Sequence, residues 1–344
     1  MLQTLSNPPQ RIHERSSLNA MQRPRAVMLS RVADAVFWMS RQLERAEHIA
    51  RMVDVCFHMD LDLRGVTAGP RELHWTSLLA ILQADTPPSG SNGSFKTAIS
   101  HWLTFDIQNP NSIMTCITRA RNNARSVRGT INSEMWKELN KLYWQLSDPD
   151  FCSRAQQSPH EFYQAVECGS HLFQGVCDAT LTRDEAWQFI QLGKFLERTG
   201  KTLRILNVQY HLLQSLTNPS DVSLGHLQWA GVLKSCKAYQ AYQGLYVGRV
   251  ERQQVLEFLL MHPTFPRSVR FCLESAAASL VEIEGQLPGR IVSEAARMLG
   301  QMLNELKFGD IAEILNGDFH AFLSSILNRC NSVSRALQNQ YSLQ

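Results

Sequence analysis

The sequence predicts an all-α protein, a helical bundle built from two duplicated halves related by pseudo-twofold symmetry. Three observations predict it. Long stretches carry apolar residues at helical period, while convincing alternating strand patterns are absent. The stretch Phe37–Val55, FWMSRQLERAEHIARMVDV, repeats its plan in Ile190–Val208, IQLGKFLERTGKTLRILNV, with Glu44 laid on Glu197 at an offset of 153 residues. Arg125-Ser126-Val127-Arg128 recurs letter for letter as Arg267-Ser268-Val269-Arg270, at an offset of 142. Each half therefore reads as a Glu-Arg helix followed later by an Arg-Ser-Val-Arg helix. The halves are expected at about 28–150 and 155–344.

Residues Met1–Val27 are polar, with Pro8-Pro9, Pro24 and scattered arginines, and lack periodicity, so a disordered extension is expected. Met28 begins the periodic sequence and is as good a start as Met1. The first long helix runs from Met28 to about Asp62. Arg71–Ala84 is a second helix, closed by the Pro-, Gly- and Ser-rich linker Asp85–Ser94. Ser94–Phe105 and Asn111–Gly129 follow, then Ser133–Leu146, which has Asn132 or Ser133 to cap it. A hydrophilic break is expected at Asp148–Ser158. Pro159–Ala179 and Asp184–Leu216 are helices, separated by the turn Asn218–Asp221 from the remainder. That remainder reads as helices at Leu224–Tyr246, Arg252–Met261, Pro266–Glu284, Gly289–Leu306 and Asp318–Gln340.

Composition excludes several classes of function. The chain of 344 residues is 44% hydrophobic and 19% charged, as expected for an ordinary soluble protein. It has no run of 18 apolar residues, which argues against a membrane span. A net charge of +3, with bases interleaved among acids, does not point to nucleic acid. The eight cysteines include no C-x-x-C pair, and five of them sit inside helical patterns, so buried reduced thiols are expected. Without an apolar signal-peptide core, the expected compartment is the reducing cytoplasm.

At about 100° per residue, the first Glu-Arg helix divides into two faces. Val32, Ala35, Val36, Met39, Leu43, Ala46, Ile49, Ala50 and Val53 fill an arc that should face a core. The opposite stripe carries Arg41, Glu44, His48 and Arg51, with Arg45 and Glu47 at its edges. In the second copy Lys194, Glu197, Arg198, Lys201 and Arg204 hold the matching places. Such a stripe is either a solvated face laced with i,i+4 pairs or a buried or partner-facing one. Phe37 and Ile190 at one end of the two stripes, and Val55 and Val208 at the other, weaken the solvated reading.

Arg121, Arg125 and Arg128 form a basic ridge at i, i+4 and i+7, and Arg267 and Arg270 open a later helix. Arginine offers a planar fork to carboxylate or phosphate. The ridges therefore capture an anionic ligand or pair with the chain's own Glu44 and Glu197. Buried, the two Glu-Arg pairs would lie near the pseudo-twofold axis with Arg128 and Arg270 close by. No metal site is expected, since Glu44 and His48 are four apart rather than three and Lys201 replaces the histidine in the second copy. No G-x-x-x-x-G-K-[ST] or G-x-G-x-x-G loop is present, so no phosphate-binding cofactor is expected. G-x-S-x-G is absent too. The stripe Tyr239, Tyr242, Tyr246 and Arg249 reads as core packing.

The stretch Met28–Val55, MLSRVADAVFWMSRQLERAEHIARMVDV, resembles the opening of the alpha-E domain family, named for its helices and Glu-Arg motif. TRARNNARSVRGTINSEMWKELN at Thr118–Asn140, FIQLGKFLERTGKTLRIL at Phe189–Leu206 and VLEFLLMHPTFPRSVRF at Val255–Phe271 resemble its later signatures. Asn122 stands where a glutamate is usual, and the N-terminal extension lies outside the pattern. The resemblance implies a prokaryotic protein whose genes sit beside circularly permuted ATP-grasp proteins and transglutaminase-like peptidases, sometimes fused to the former. It implies a helical accessory or scaffold subunit of a peptide or amide ligase system, with Glu44, Arg45, Glu197 and Arg198 as the first residues to test. The competing reading is an enzyme of peptide modification with a carboxylate/arginine site between the halves.

Overall fold

A computed structural model describes residues 28–62, 73–87, 94–214, 221–285, 292–341 and 343. Among them the chain forms fifteen α-helices and no strand. The first half contains α1 (Ser30–Asp62), α2 (Leu73–Leu82), α3 (Phe95–Thr104), α4 (Ile113–Ser126), α5 (Ser133–Leu146), α6 (Pro149–Gln157) and α7 (Pro159–Thr180). The second contains α8 (Glu185–Gln214), α9 (Asp221–Ser235), α10 (Tyr239–Gln243), α11 (Arg252–Met261) and α12 (Val269–Glu284). It closes with α13 (Glu294–Phe308), α14 (Ile311–Asn316) and α15 (Phe319–Tyr341). The expected extension at 1–27, most of the linker at 85–94 and residues 218–220 of the expected turn lie outside the described residues.

The two Glu-Arg helices, α1 and α8, pack on each other at the centre. Their backbones meet at Gly193, where a Cβ would stand 2.5 Å from the carbonyl oxygen of Phe37 and from Ser40 Oγ. Ser40 Oγ donates to the Ile190 carbonyl at 2.8 Å across the same crossing. Around this pair the packing repeats. Helix α1 is joined by α4, α4 by α5, α5 by α7, and α7 returns to α1. Likewise α8 is joined by α12, α12 by α13, α13 by α15, and α15 returns to α8. The predicted apolar arc of α1 is inside, with Val36, Met39, Leu43, Ala46, Ile49, Ala50 and Val53 all buried. Buried residues of both halves join in one contiguous cluster.

Several elements depart from the sequence expectation. The expected break at Asp148–Ser158 contains α6. Asp148 accepts from the Phe151 amide, Pro149 fills the first turn, and Phe151 and Ala155 bury one face. The expected helix Leu224–Tyr246 is split into α9 and α10. Lys237 takes a left-handed conformation (φ 50°), and the Ala238 amide bonds back to the Leu233 carbonyl at 2.8 Å, closing α9 as a Schellman motif does. Helix α14, capped by Asp310, has no counterpart in the sequence expectation.

The Arg-Ser-Val-Arg match is not a structural equivalence. Its first copy ends α4, with Val127 as C-cap, while its second begins α12, with Ser268 as N-cap. Pro110-Asn111-Ser112 leads into α4 and Pro266-Arg267-Ser268 into α12, the helices packed on α1 and α8, 156 residues apart. Ser112 and Ser268 are both fully buried N-caps, accepting from the Thr115 and Phe271 amides at 3.2 and 3.1 Å. All eight cysteines are free thiols. Among the described residues no helix is long and apolar enough to cross a membrane.

Candidate functional site

The polar stripes of α1 and α8 face each other, and their Glu-Arg motifs pair reciprocally. Arg198 donates to Glu44 through Nε (2.6 Å to Oε1) and Nη2 (2.9 Å to Oε2). Arg45 donates to Glu197 through Nε (2.7 Å to Oε1) and Nη2 (3.0 Å to Oε2). Each is a two-bond fork on a carboxylate, the geometry that makes Arg-carboxylate pairs strong and directional. Glu44 and Glu197 are 1% and 3% exposed. The stripe is therefore buried, as its flanking Phe37 and Ile190 are. Arg41 adds a bond to Glu197 at 2.9 Å, and Gln174 one to Glu44 at 3.2 Å. The outer edges of the forks are held as well, with Arg45 Nη1 on Asn111 Oδ1 at 3.0 Å and Arg198 Nη1 on the Pro266 carbonyl at 3.1 Å.

A second layer surrounds Glu47, which is wholly buried. It accepts from Arg51 on the next turn and from Arg267 Nη2 at 2.9 Å, and Arg267 Nη1 reaches Glu44 at 3.4 Å. Arg51 also donates to the Ser235 carbonyl at 2.6 Å and approaches His48 Nδ1 at 3.0 Å. Because arginine only donates, His48 accepts there and carries its proton on Nε2. Lys201 lies 3.6 Å from Glu197.

The electrostatics follow from this crowding. Burial pushes the glutamate carboxyls up, but the guanidiniums outweigh it. Arg198 and then Arg267 bring Glu44 below its ordinary value, and Arg45, Arg41 and Lys201 bring Glu197 well below. Arg267 and Arg51 do the same for Glu47. Burial, then the adjacent Arg51 and Lys201, push His48 well down, which keeps it neutral. For Lys201 burial outweighs its attraction to Glu197, and the ammonium falls to about 8. Burial likewise lowers Lys194 and Arg204, with Arg198 and Arg45 respectively adding repulsion.

The other sequence candidates lie apart from this network. Arg128 rests over the Trp136 ring at 4.0 Å, and Arg270 pairs with Glu274 at 3.1 Å. The expectation that these two close on the Glu-Arg pairs is corrected, because Ser268 starts α12 and turns Arg267 inward in place of Arg270. Arg121 donates to Asn140 at 2.8 Å and stacks over Tyr143 at 4.4 Å, while Arg125 is exposed. Tyr242 and Tyr246 stack at 4.7 Å as core packing. Asn111 and Gln174 were missed, since their roles depend on helices that meet α1 only in space. Glu47 had a local signal, its i,i+4 spacing to Arg51.

Space beside the network is limited. Next to Ser40, Gln174 and Lys194 there is a cavity of about 10 Å³, at most the size of one water. On the outer side of Arg45 an open hollow of about 480 Å³ is lined by Trp38, Gln42, Arg119, Asn122 and Asn123, and the buried Gln42 Oε1 and Trp38 Nε1 have no partner among the described residues. A larger cavity of about 590 Å³ lies elsewhere, lined by residues of α1, α3, α6 and α7 including Phe57, Phe162 and Tyr163. Near it, Asp54, His58 and His160 form a group with metal-ligating donors.

No solved structure matches this chain. One uncharacterized protein of Mycobacterium bovis and two of Mycobacterium tuberculosis are each 24% identical to it over 339 residues. The alignments cover 91% of this chain but only 38% of those proteins, so the chain spans well under half the length of these curated relatives. Residues 28–341 match the model of Alpha-E, described as a predicted alpha-helical domain with a conserved ER motif. With Glu44-Arg45 and Glu197-Arg198 locked together at its centre and that match running nearly end to end, the chain belongs to the Alpha-E family.

Proposed function

We propose that this chain is a non-catalytic helical accessory or scaffold protein of an ATP-grasp-type peptide or amide ligase system. Its Glu-Arg motifs act as an internal clasp, and its arginine-aromatic ridge is the docking face. The observation that carries this reading is the reciprocal burial of Glu44 and Glu197. A general acid or base must reach its substrate's proton directly or through one water. These carboxylates are held ionised beneath the surface by their own arginines. The ridge does face outward. Arg121 and Arg128 rest over Trp136, Tyr143 and Trp144 beside the exposed Arg125, and Trp144 is 61% exposed. Trp, Tyr and Arg are the side chains that dominate interface energetics.

The ligase assignment rests on the gene neighbourhood of the family. The recurrent packing order and the register of Ser112 with Ser268 support an origin of the two halves by duplication.

The test is to mix the purified chain with the ATP-grasp protein and follow mass by size-exclusion chromatography with light scattering. One complex peak is expected, lost in Trp144→Ala combined with Arg128→Glu. Two separate peaks for the unaltered proteins refute the proposal. A second reading, an enzyme with its own carboxylate/arginine site, draws support from the hollow at Arg45 and its unpaired Gln42 and Trp38 atoms, although that hollow lies between α1 and α4 of the first half and not between the halves. It requires a ligand there whose binding Gln42→Leu abolishes without unfolding the chain.

A further inference from the structure

Two histidine pairs occupy matching places in the two halves. On α1, Asp54 and His58 are one turn apart, and His160, at the start of α7, closes over them. On α8, Asn207 and His211 stand 153 residues later, in the register of the Glu-Arg repeat, and His320, at the start of α15, closes over them. His160 Nδ1 lies 2.8 Å from Asp54 Oδ1, and His320 Nδ1 lies 2.8 Å from Asn207 Oδ1. The paired rings are edge-on, with centroids 5.3 Å apart in the first half and 4.1 Å in the second.

A single His-Asp contact on a surface is an ordinary ion pair of small consequence. The same residue positions recur on elements separated by about the same interval, with His211 Nε2 there 2.5 Å from His320 Nδ1, and that recurrence asks for more. The donor geometry supplies it. One ligating atom from each of Asp54, His58 and His160 lies within 4.8 Å of the others. Tetrahedral bonds of about 2.0–2.1 Å place donors about 3.3 Å apart. From Asp54 Oδ1 to His160 Nδ1 the separation is 2.8 Å, within about half an ångström of that value. His58 Nδ1 is also 2.8 Å from the Asp54 carbonyl, a contact that fixes the ring and leaves Nε2 with a free lone pair.

We propose that Asp54, His58 and His160 bind a divalent transition-metal ion, zinc being the best match to two imidazoles and a carboxylate. Asn207, His211 and His320 form the corresponding site with its charged ligand replaced by a neutral amide. Three protein ligands leave a fourth position for water or for an anionic group of a ligand. Phe57 and Pro159, the chain neighbours of His58 and His160, line the 590 Å³ cavity. This inference is independent of the docking proposal.

The experiment uses the full chain without an affinity tag, stripped with chelator, titrated with zinc by calorimetry and with cobalt by visible spectroscopy. One tight equivalent is expected. Asp54→Asn and His160→Ala should each weaken it by at least about tenfold, and Asn207→Asp should bring a second equivalent to comparable affinity. His160 is more than half exposed and Asp54→Asn keeps the side chain's shape, so these variants keep the fold, as far-UV circular dichroism will verify. Absence of saturable binding, or binding that Asp54→Asn and His160→Ala leave unchanged, overturns the site. An Asn207→Asp protein that gains no equivalent overturns the correspondence between the two triads.

Discussion

Replacing Glu197 by Gln tests the clasp most directly. Glu197 is 3% exposed and accepts three hydrogen bonds, two from Arg45 and one from Arg41, with Lys201 at 3.6 Å. Glutamine keeps the shape but removes the charge, leaving these cations facing one another in a buried place. Removing one partner of a buried pair costs roughly 3–5 kcal/mol. The cost of Glu197→Gln belongs at the upper end, because among the described residues no second carboxylate pairs with these bases. Glu44→Gln belongs at the lower end. It loses the Arg198 fork but relieves repulsion from Glu47, which stays bonded to Arg267. At about 2 °C per kcal/mol for a chain of this size, Glu197→Gln should lower the melting temperature by about 10 °C, and Glu44→Gln by about 6 °C. Thermal and urea unfolding followed by circular dichroism measure both. A loss below about 1 kcal/mol for Glu197→Gln, the value for exposed pairs, would refute the buried clasp. The reverse order of the two variants would refute this balance of charges around the two glutamates.

Gly193→Ala should destabilise by about 1–3 kcal/mol, as overpacking does, because its Cβ would meet the Phe37 carbonyl and Ser40 at 2.5 Å; an unchanged urea midpoint contradicts the close crossing. Lys201→Met should raise stability at pH 7 by up to about 3 kcal/mol, since the folded ammonium titrates near 8 instead of 10.5, at about 1.4 kcal/mol per unit. A loss on that substitution would mean that the bond to Glu197 outweighs burial. Acid should act in two stages. His48 and the three glutamates all have depressed folded values, so the unfolded chain binds more protons and stability falls with pH, first below about 6.5 and again below about 4.5. A flat profile from pH 7 to 5 in wild type, matched by His48→Gln, would remove His48 from that account. Ser112→Ala and Ser268→Ala should each cost about 1 kcal/mol as lost N-caps; equal melting curves would disprove the capping role and the register built on it.

Helical period is a local property, so the face that each helix offers was legible from residue spacing. The apolar arc of α1, the polar stripes with Glu44 and Glu197, and the 153-residue repeat all follow from side chains that lie within a few turns of one another. Asp148-Pro149 was equally local, yet its polar composition masked a capped helix. Whether the stripes met water or each other depended on the crossing at Gly193, which no spacing encodes. The choice of Arg267 over Arg270 turned on where Ser268 starts α12, and identical letters in Arg125–Arg128 misled because the same four residues end a helix in one half and begin one in the other. His160 reaches Asp54 from 106 positions along the chain, and His320 reaches Asn207 from 113. A chain records which side chains share a helix face, but which faces come together is decided by packing the whole apolar surface into one core, and only the tertiary structure carries that result.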